Sequence, residues 1–402
     1  MRLFLYTIIL VNIFSWFTGY VNDEISIISV PSFVVLAVNC FGFGVLLLHG
    51  IWVKDISKVF FYFTLCCMAF IPSIVGSDYK FVASLKLLKF WIYTGLLFLL
   101  FRYLAKYLSK KSYKEIQNWI FALFRFIGFL SVLSIFMGIA WNKNGTGFNG
   151  AFGHPQAFSL YCGIWAVFEQ IRLYKILNEG RSDIKISVFF SILSVVFTLM
   201  TESRTAIGAL AVVSMLMFWL YLKHMKGINK FQAVSYMALA VVLAFPFAGS
   251  ILDSLFLKRN DVTIAQGLVD SRGTLVLASL INFVDKPTAG IGFQVSNGKY
   301  GSQPMEVAYQ FNLPISAPIE KGMFYSGMLE EVGLIGSLVF IMFLIYIAKK
   351  LPLTDGLWLF VLVYWLIVNF GESIMFSIGG MGFLLWMTLA YVVMGRTFNV
   401  RQ

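Results

Sequence analysis

Hydrophobic residues run through this 402-residue chain in long unbroken stretches, without the alternating or single-face pattern of water-soluble strands and helices. A helix that spans lipid needs roughly 20 apolar residues. By that rule the pattern predicts about twelve spans: Leu3–Tyr20, Val30–Val53, Val59–Gly76, Leu87–Tyr103, Trp119–Trp141, Gln156–Ile171, Ile186–Met200, Ala206–Leu222, Phe231–Leu252, Gly327–Ala348, Leu357–Phe370 and Ile378–Met394. The tightest connection is the turn at Thr201–Thr205. One long stretch, from about Leu252 to about Gly327, cannot live in lipid. It carries Asp253, Lys258, Arg259, Asp261, Asp270, Arg272, Asp285, Lys286, Lys299, Glu306, Glu320 and Lys321 among glycines and prolines. It also keeps apolar anchors (Phe256, Leu275, Leu277, Leu280, Phe283, Tyr309, Phe311), which predicts a folded cap and not a tether. The expected fold is all-α and polytopic, with nine helices over 1–252, a cap over 253–326 and three helices over 327–402.

Composition agrees with a lipid solvent. Hydrophobic residues make up 59% and charged residues 12% of the chain, with a mean hydropathy of +0.82. A soluble domain carries about a quarter charged residues. The net charge of +12 falls largely in short loops, so membrane topology accounts for it and no nucleic-acid partner is expected. Basic residues accumulate in cytoplasmic loops. Alternate loops hold Arg2; Lys54 and Lys58; Arg102 to Lys114; Arg172 to Lys185; Lys223 to Lys230; Lys349 and Lys350; and Arg396 and Arg401. This predicts cytoplasmic termini and a cap on the outer face, which in a bacterium is periplasmic. The run Leu3–Tyr20 lacks a small-x-small cleavage site and reads as a retained helix. Cys40, Cys66, Cys67 and Cys162 sit in apolar runs and read as small buried hydrophobes. There is no zinc motif, P-loop or nucleophile elbow, so neither metal nor cofactor is expected.

A few polar residues stand out. Arg204, in Thr201-Glu202-Ser203-Arg204-Thr205, lies between two apolar runs, where an ionisable residue is expensive and by default functional. Its planar fork of donors suits a diphosphate; a local pair with Glu202 is the structural alternative. Arg272 precedes an apolar-periodic run from Leu275 to Phe283, read as a short amphipathic helix that ends at the turn Gly290-Ile291-Gly292-Phe293. Lys80, Lys86 and Lys89, and Lys258, Arg259, Arg272 and Lys321 in the cap, break the charge rule. They read either as snorkelling or salt-bridged groups or as contacts to an anion. Glu320 and Lys321 lead into the next helix, where Glu330 and Glu331 read as helix-start acids favoured by the dipole. The Gly-rich segment Asn144–Gln156 places His154 and Gln156 around a helix-initiating Pro155, as structural residues or as substrate contacts.

Taken in order, four motifs resemble one family. They are Gly147-Phe-x-Gly-x-Phe-Gly-His-Pro-Gln, Glu202-Ser-Arg-Thr-Ala, Ser271-Arg-Gly followed by Pro287-x-x-Gly-x-Gly-Phe, and Glu330-Glu-Val-Gly-Leu-Ile-Gly. Their order resembles the O-antigen polymerase and ligase superfamily of bacterial inner membranes. The resemblance implies a GT-C-like, all-helical, metal-independent glycosyltransferase that works on undecaprenyl-diphosphate-linked glycans at the periplasmic face. It places the two functional arginines on Arg204 and Arg272, expected to face a common cavity. The ligases of this superfamily carry a His-Asn pair just before the helix that follows the cap. This chain has Glu320-Lys321-Gly322 there, which favours a Wzy-type polymerase. The expected site is then Arg204 and Arg272 on the leaving diphosphate and Glu320 as base, with His154, Gln156, Lys321, Lys258 and Arg259 as substrate contacts. Expected partners are the lipid-linked glycans and the bilayer, with a chain-length regulator as a further candidate. The rival readings are an O-antigen ligase acting on lipid A–core and a lipid-linked oligosaccharide flippase. Flippases and transporters tend to show internal repeats and midplane sites, which are not evident in this sequence.

Overall fold

Inside lipid an apolar run must satisfy its backbone within itself, which leaves the helix as its form. The computed structural model describes residues 2–17, 32–107, 110–141, 147–152, 154–179, 184–224, 272–295, 306–308, 313–316, 321–351, 357–377 and 380–399. Among them the helices are α1 (Arg2–Phe17), α2 (Ser32–Trp52), α3 (Lys58–Ala69), α4 (Ile71–Val75), α5 (Lys80–Tyr107), α6 (Lys110–Phe136), α7 (Pro155–Glu179), α8 (Ile184–Met200), α9 (Arg204–His224), α10 (Thr274–Asp285), α11 (Phe324–Lys350), α12 (Leu359–Val368) and α13 (Met381–Asn399). Among the described residues six spans are long and apolar enough to cross a membrane: Phe33–Trp52, Lys58–Val75, Lys80–Tyr107, Glu115–Phe136, Arg204–Leu222 and Phe324–Lys350. The chain is an all-α polytopic membrane protein. Among the described residues the only named strands are β1 (Glu306–Ala308) and β2 (Leu313–Ser316), a short antiparallel pair within the polar stretch. The span expected at Phe231–Leu252 lies outside the described residues.

Two helices differ from their expected form. The run Val59–Gly76 breaks into α3 and α4 at Phe70, because Pro72 has no N–H and its ring crowds the preceding turn. The run Gln156–Ile171 continues to Glu179, and there Arg172 lies 5.1 Å from the Phe121 ring instead of standing in a loop.

The chain divides into two compact units. The first comprises Met1–Ile120, Arg272–Leu359 and Asn369–Gln402 and is built around α5, packed by α2, α3 and α13. Its centre is aromatic: Phe63, Phe90, Phe98, Phe343, Phe376 and Trp386 meet largely edge to face, the arrangement ring quadrupoles prefer. Gly95 is a notch in α5, where a Cβ would fall 2.8 Å from the Phe60 ring and 2.9 Å from that of Phe43. Buried Asn12 and Asn39 exchange amide hydrogen bonds of 2.9 and 3.0 Å and so fix the register of α1 on α2. At the C-terminal end of α5, Arg102 and Lys106 pair with Asp55 of the α2–α3 connection at 3.1 and 2.7 Å.

The second unit comprises Phe121–Ser271 and Phe360–Val368 and is built around α7, which is buried from Phe158 to Glu169 and packed by α8 and α9. Gly128 makes room for the Trp165 ring, and Gly163 for Tyr364, whose hydroxyl donates to the Leu160 carbonyl at 3.3 Å. Within this lipid-facing architecture lies a charge pair. Arg125 donates from Nε and Nη2 to the two oxygens of fully buried Glu169, at 2.7 and 2.9 Å. Trp165 donates to the same carboxylate at 3.3 Å.

Candidate functional site

The site side chains of the first unit are arranged around an interruption in α11. Gly333 has φ 63 and ψ −170, so the helical ladder stops there. In a continuous helix the Glu330 and Glu331 carbonyls would accept from Leu334 and Ile335. Here they accept from Ile291 and Gly292 of the turn after α10, at 2.9 and 3.1 Å. Leu334 and Ile335 donate instead to the Pro287 and Thr288 carbonyls, at 2.8 and 3.3 Å. The turn replaces the missing helical bonds, which is how a broken helix is tolerated in a membrane protein. Glycines make the contact possible: a Cβ on Gly290 would lie 2.5 Å from the Glu331 carbonyl oxygen.

Side chains reinforce the junction. Glu330 accepts from Asn282 of α10 at 2.8 Å and from Lys321 at 2.5 Å, and all three are buried. Glu331 accepts from the Gln294 backbone N–H at 3.0 Å, and Lys86 donates to the Gln294 carbonyl at 2.8 Å. The Gln294 side-chain amide donates to the Phe376 carbonyl. Glu330 and Glu331 are therefore not helix-start acids, as their sequence position implied. The helix begins at Phe324 and its first turn holds no acid; the two glutamates join the break to α10 and the turn. Arg272, just before α10, donates from Nη2 to Glu372 at 3.0 Å.

In the second unit residues 147–152 of the Gly-rich segment fold against the α8–α9 turn. The Phe148 N–H donates to the Met200 carbonyl at 3.0 Å, and the Phe148 ring packs on Phe158 and Phe197. A Cβ on Gly147 (φ +70) would lie 2.5 Å from the Thr201 carbonyl oxygen. The turn itself is shaped by Thr201, whose hydroxyl donates to Thr198 at 2.6 Å, and by Glu202 at φ 57. Arg204 opens α9, half-buried, and among the described residues it has no hydrogen-bond or ion-pair partner. The local pair with Glu202 does not form among them; Glu202 is exposed. His154 stands just before α7, and burial pushes its pKa below the usual imidazole value. Its Nδ1 accepts the Gln156 N–H at 3.3 Å, so a neutral ring in this arrangement carries its proton on Nε2 and acts there as a donor. Gln156 is exposed on the first turn of α7.

Among the expected site residues, the structure brings His154 and Gln156 together in one unit that also holds Arg204, and it puts Arg272 and Lys321 in the other. Glu320, Lys258 and Arg259 lie outside the described residues. Sequence reasoning missed Glu372, Asn282 and Gln294, and the pair Arg125–Glu169. The pair carried a legible signal, since each member interrupts a predicted span.

The fold and these groups define a polytopic membrane protein with guanidinium groups at helix starts and no His/Cys/Asp/Glu cluster able to hold a metal among the described residues. Residues 189–341 match the O-antigen ligase family model (Wzy_C). The match spans most of α8, all of α9, the polar stretch and the first part of α11, and so takes in Arg204, Arg272, Lys321 and the break at Gly333. It supports the O-antigen polymerase and ligase superfamily, and with it an enzyme role in surface-polysaccharide biosynthesis at a membrane. No curated protein matches the chain.

Proposed function

We propose that the protein polymerises undecaprenyl-diphosphate-linked oligosaccharide repeat units, of O-antigen or a related surface polysaccharide, at the periplasmic face of the bacterial inner membrane. A hydroxyl of the acceptor glycan attacks the anomeric carbon of the donor glycan. The bond from that carbon to the diphosphate oxygen breaks, a base takes the hydroxyl proton, and undecaprenyl diphosphate leaves. The donor is already activated, so no other energy source is required. The observation that carries this reading is the state of the two arginines. Among the described residues Arg204 has no partner and Arg272 gives a single N–H, to Glu372, which supports forks with donors open to diphosphate oxygens. Such fixed donors stabilise the charge that develops on the leaving group. Glu320 is the proposed base. His154, whose Nδ1 accepts the Gln156 N–H, is proposed as a substrate contact.

The orientation follows from loop charge. Asp55 gathers Arg102 and Lys106 at the C-terminal end of α5, while Lys86, near the N-terminal end of the same helix, reaches the Gln294 turn. With the basic loops cytoplasmic, the Gln294 turn and Arg272 belong to the periplasmic side.

A ligase reading is favoured by the description of the family match. The polymerase is preferred because Lys321, in the place of the ligase His-Asn pair, is buried against Glu330 and unsuited to take a proton from an acceptor. Glycan profiling of a deletion strain tests the choice. Loss of long chains with a single capped repeat retained is the polymerase outcome. Loss of all surface glycan with accumulation of lipid-linked polymer is the ligase outcome and would overturn the proposal.

A further inference from the structure

We propose that Glu372 is a positioning residue for diphosphate recognition: its carboxylate holds the Arg272 guanidinium by one edge so that the other edge is presented to the anion. The inference rests on the proposed role of Arg272 in binding diphosphate.

The segment that carries Glu372 is rigid. Asn369 is fully buried, and its side-chain oxygen accepts the N–H groups of Ile374 and Met375 at 3.2 and 3.1 Å. Its carbonyl accepts the Phe324 N–H at 3.1 Å, which ties the segment to the start of α11. Met375 accepts from the Trp386 indole at 2.9 Å, and Phe376 from the Gln294 side chain. Glu372 therefore projects from a turn whose backbone is held on both sides. The Arg272 main chain packs close to Gly322, where a Cβ would lie 2.6 Å from the Arg272 carbonyl oxygen. The guanidinium is thus tied to a held turn while its main chain packs against Gly322, with the Arg272 and Glu372 side chains 28% and 13% exposed. An arginine has five N–H donors in a fixed fork, and among the described residues Arg272 uses one of them, on Glu372. A free arginine loses much rotamer freedom on binding; a braced one has already lost it and binds more tightly for that reason.

The sign of the effect separates positioning from simple electrostatics. Neutralising Glu372 makes its surroundings more positive by one charge, so a bystander carboxylate predicts tighter anion binding on removal. Positioning predicts weaker binding. The experiment uses the full-length protein in lipid nanodiscs, with undecaprenyl diphosphate as the probe and Kd as the readout. Glu372→Gln keeps the shape and an acceptor oxygen, Glu372→Asp keeps the charge at shorter reach, and Glu372→Ala removes both. We expect Glu372→Ala to raise Kd by about fivefold or more, with Gln and Asp in between. In an Arg272→Ala background the same changes should move Kd by less than about twofold, because the residue acts through the arginine. Unchanged or tighter binding in the Glu372 variants, while Arg272→Ala still weakens it, overturns the positioning role and leaves the diphosphate reading standing. Equal losses with and without Arg272 also overturn it, marking a general effect on the fold. If Arg272→Ala leaves Kd unchanged, the diphosphate reading of that arginine fails and this inference falls with it.

Discussion

Replacing Gly333 by alanine attacks the junction on which the first unit depends. At φ 63 and ψ −170 the residue occupies backbone space that is essentially open to glycine alone, and an L side chain there costs about 1–3 kcal/mol. The added Cβ would also stand 2.5 Å from the Gly290 nitrogen and the Thr288 oxygen and 2.6 Å from the Ala289 carbonyl carbon. These are backbone atoms with no rotamer to escape into, so α11 and the 287–292 turn must separate. If two of the four cross-bonds open, each worth a net ~1 kcal/mol, the combined loss is about 3–5 kcal/mol. Thermal unfolding of the detergent-solubilised protein measures it. Gly44→Ala in α2 is the control, because a Cβ there meets nothing within 4 Å. Helix propensity predicts that the control is neutral or stabilising by up to ~1 kcal/mol. A Gly333→Ala protein that melts with the wild type would refute the idea that the interlock needs glycine.

The pair Arg125–Glu169 yields a second prediction: Glu169→Gln leaves the half-buried Arg125 guanidinium without its counter-charge and should cost up to about 3–5 kcal/mol, whereas Arg125→Met with Glu169→Leu together should recover most of it. Double-variant losses equal to the sum of the single losses would show that the two side chains are not coupled. For the arginine forks, Arg204→Lys and Arg272→Lys keep charge but lose planarity, and transfer should fall about tenfold or more in each; wild-type rates in both, at normal expression, would remove the bidentate argument. For Asp55, burial pushes the carboxyl up, but hydrogen bonds from Lys106 and Arg102 outweigh it and hold the pKa below its ordinary 3.8. The stability it contributes is present above that value and lost as pH falls through the lower folded value. The melting-temperature gap between wild type and Asp55→Asn should therefore be full at pH 7 and shrink in acid below about pH 4; a constant gap would refute it.

Six of the expected membrane spans were legible because lipid imposes one rule on every apolar run, and Leu87–Tyr103 or Ala206–Leu222 obey it with shifted ends. The short helix at Leu275–Phe283 and the glycine turn after it were legible for the same reason, since periodicity and turn residues are local signals. The break at Gly333 was not. Nothing near Glu330-Glu331-Val332-Gly333 distinguishes a helix glycine that eases packing from one that ends the ladder. The cause is the Pro287–Gly292 turn, distant in sequence, which takes over the helical hydrogen bonds. Glu372 was hidden in the same way, being 100 residues from the arginine it holds. Glu320, Lys258 and Arg259 remain expectations from sequence, since they lie outside the described residues.

The cations differ in what an anion would have to displace, and that difference orders them as ligands. Lys321 is 5% exposed and closes on Glu330 at 2.5 Å, so recruiting it would leave a buried carboxylate without its cation, a penalty of several kcal/mol by order of magnitude. Arg272 need give up nothing, because one bond to Glu372 and a diphosphate can share a five-donor fork. Arg204 has no competing partner among the described residues. Both arginines sit where a glycine lets backbone approach backbone: Gly322 against Arg272 itself, and Gly147 against Thr201 in the turn that opens α9. These two glycines bring main chain close to the segments that carry the two arginines. A site built to hold a leaving diphosphate needs both conditions, donors that are not already neutralised and a frame that does not have to reorganise when the charge arrives.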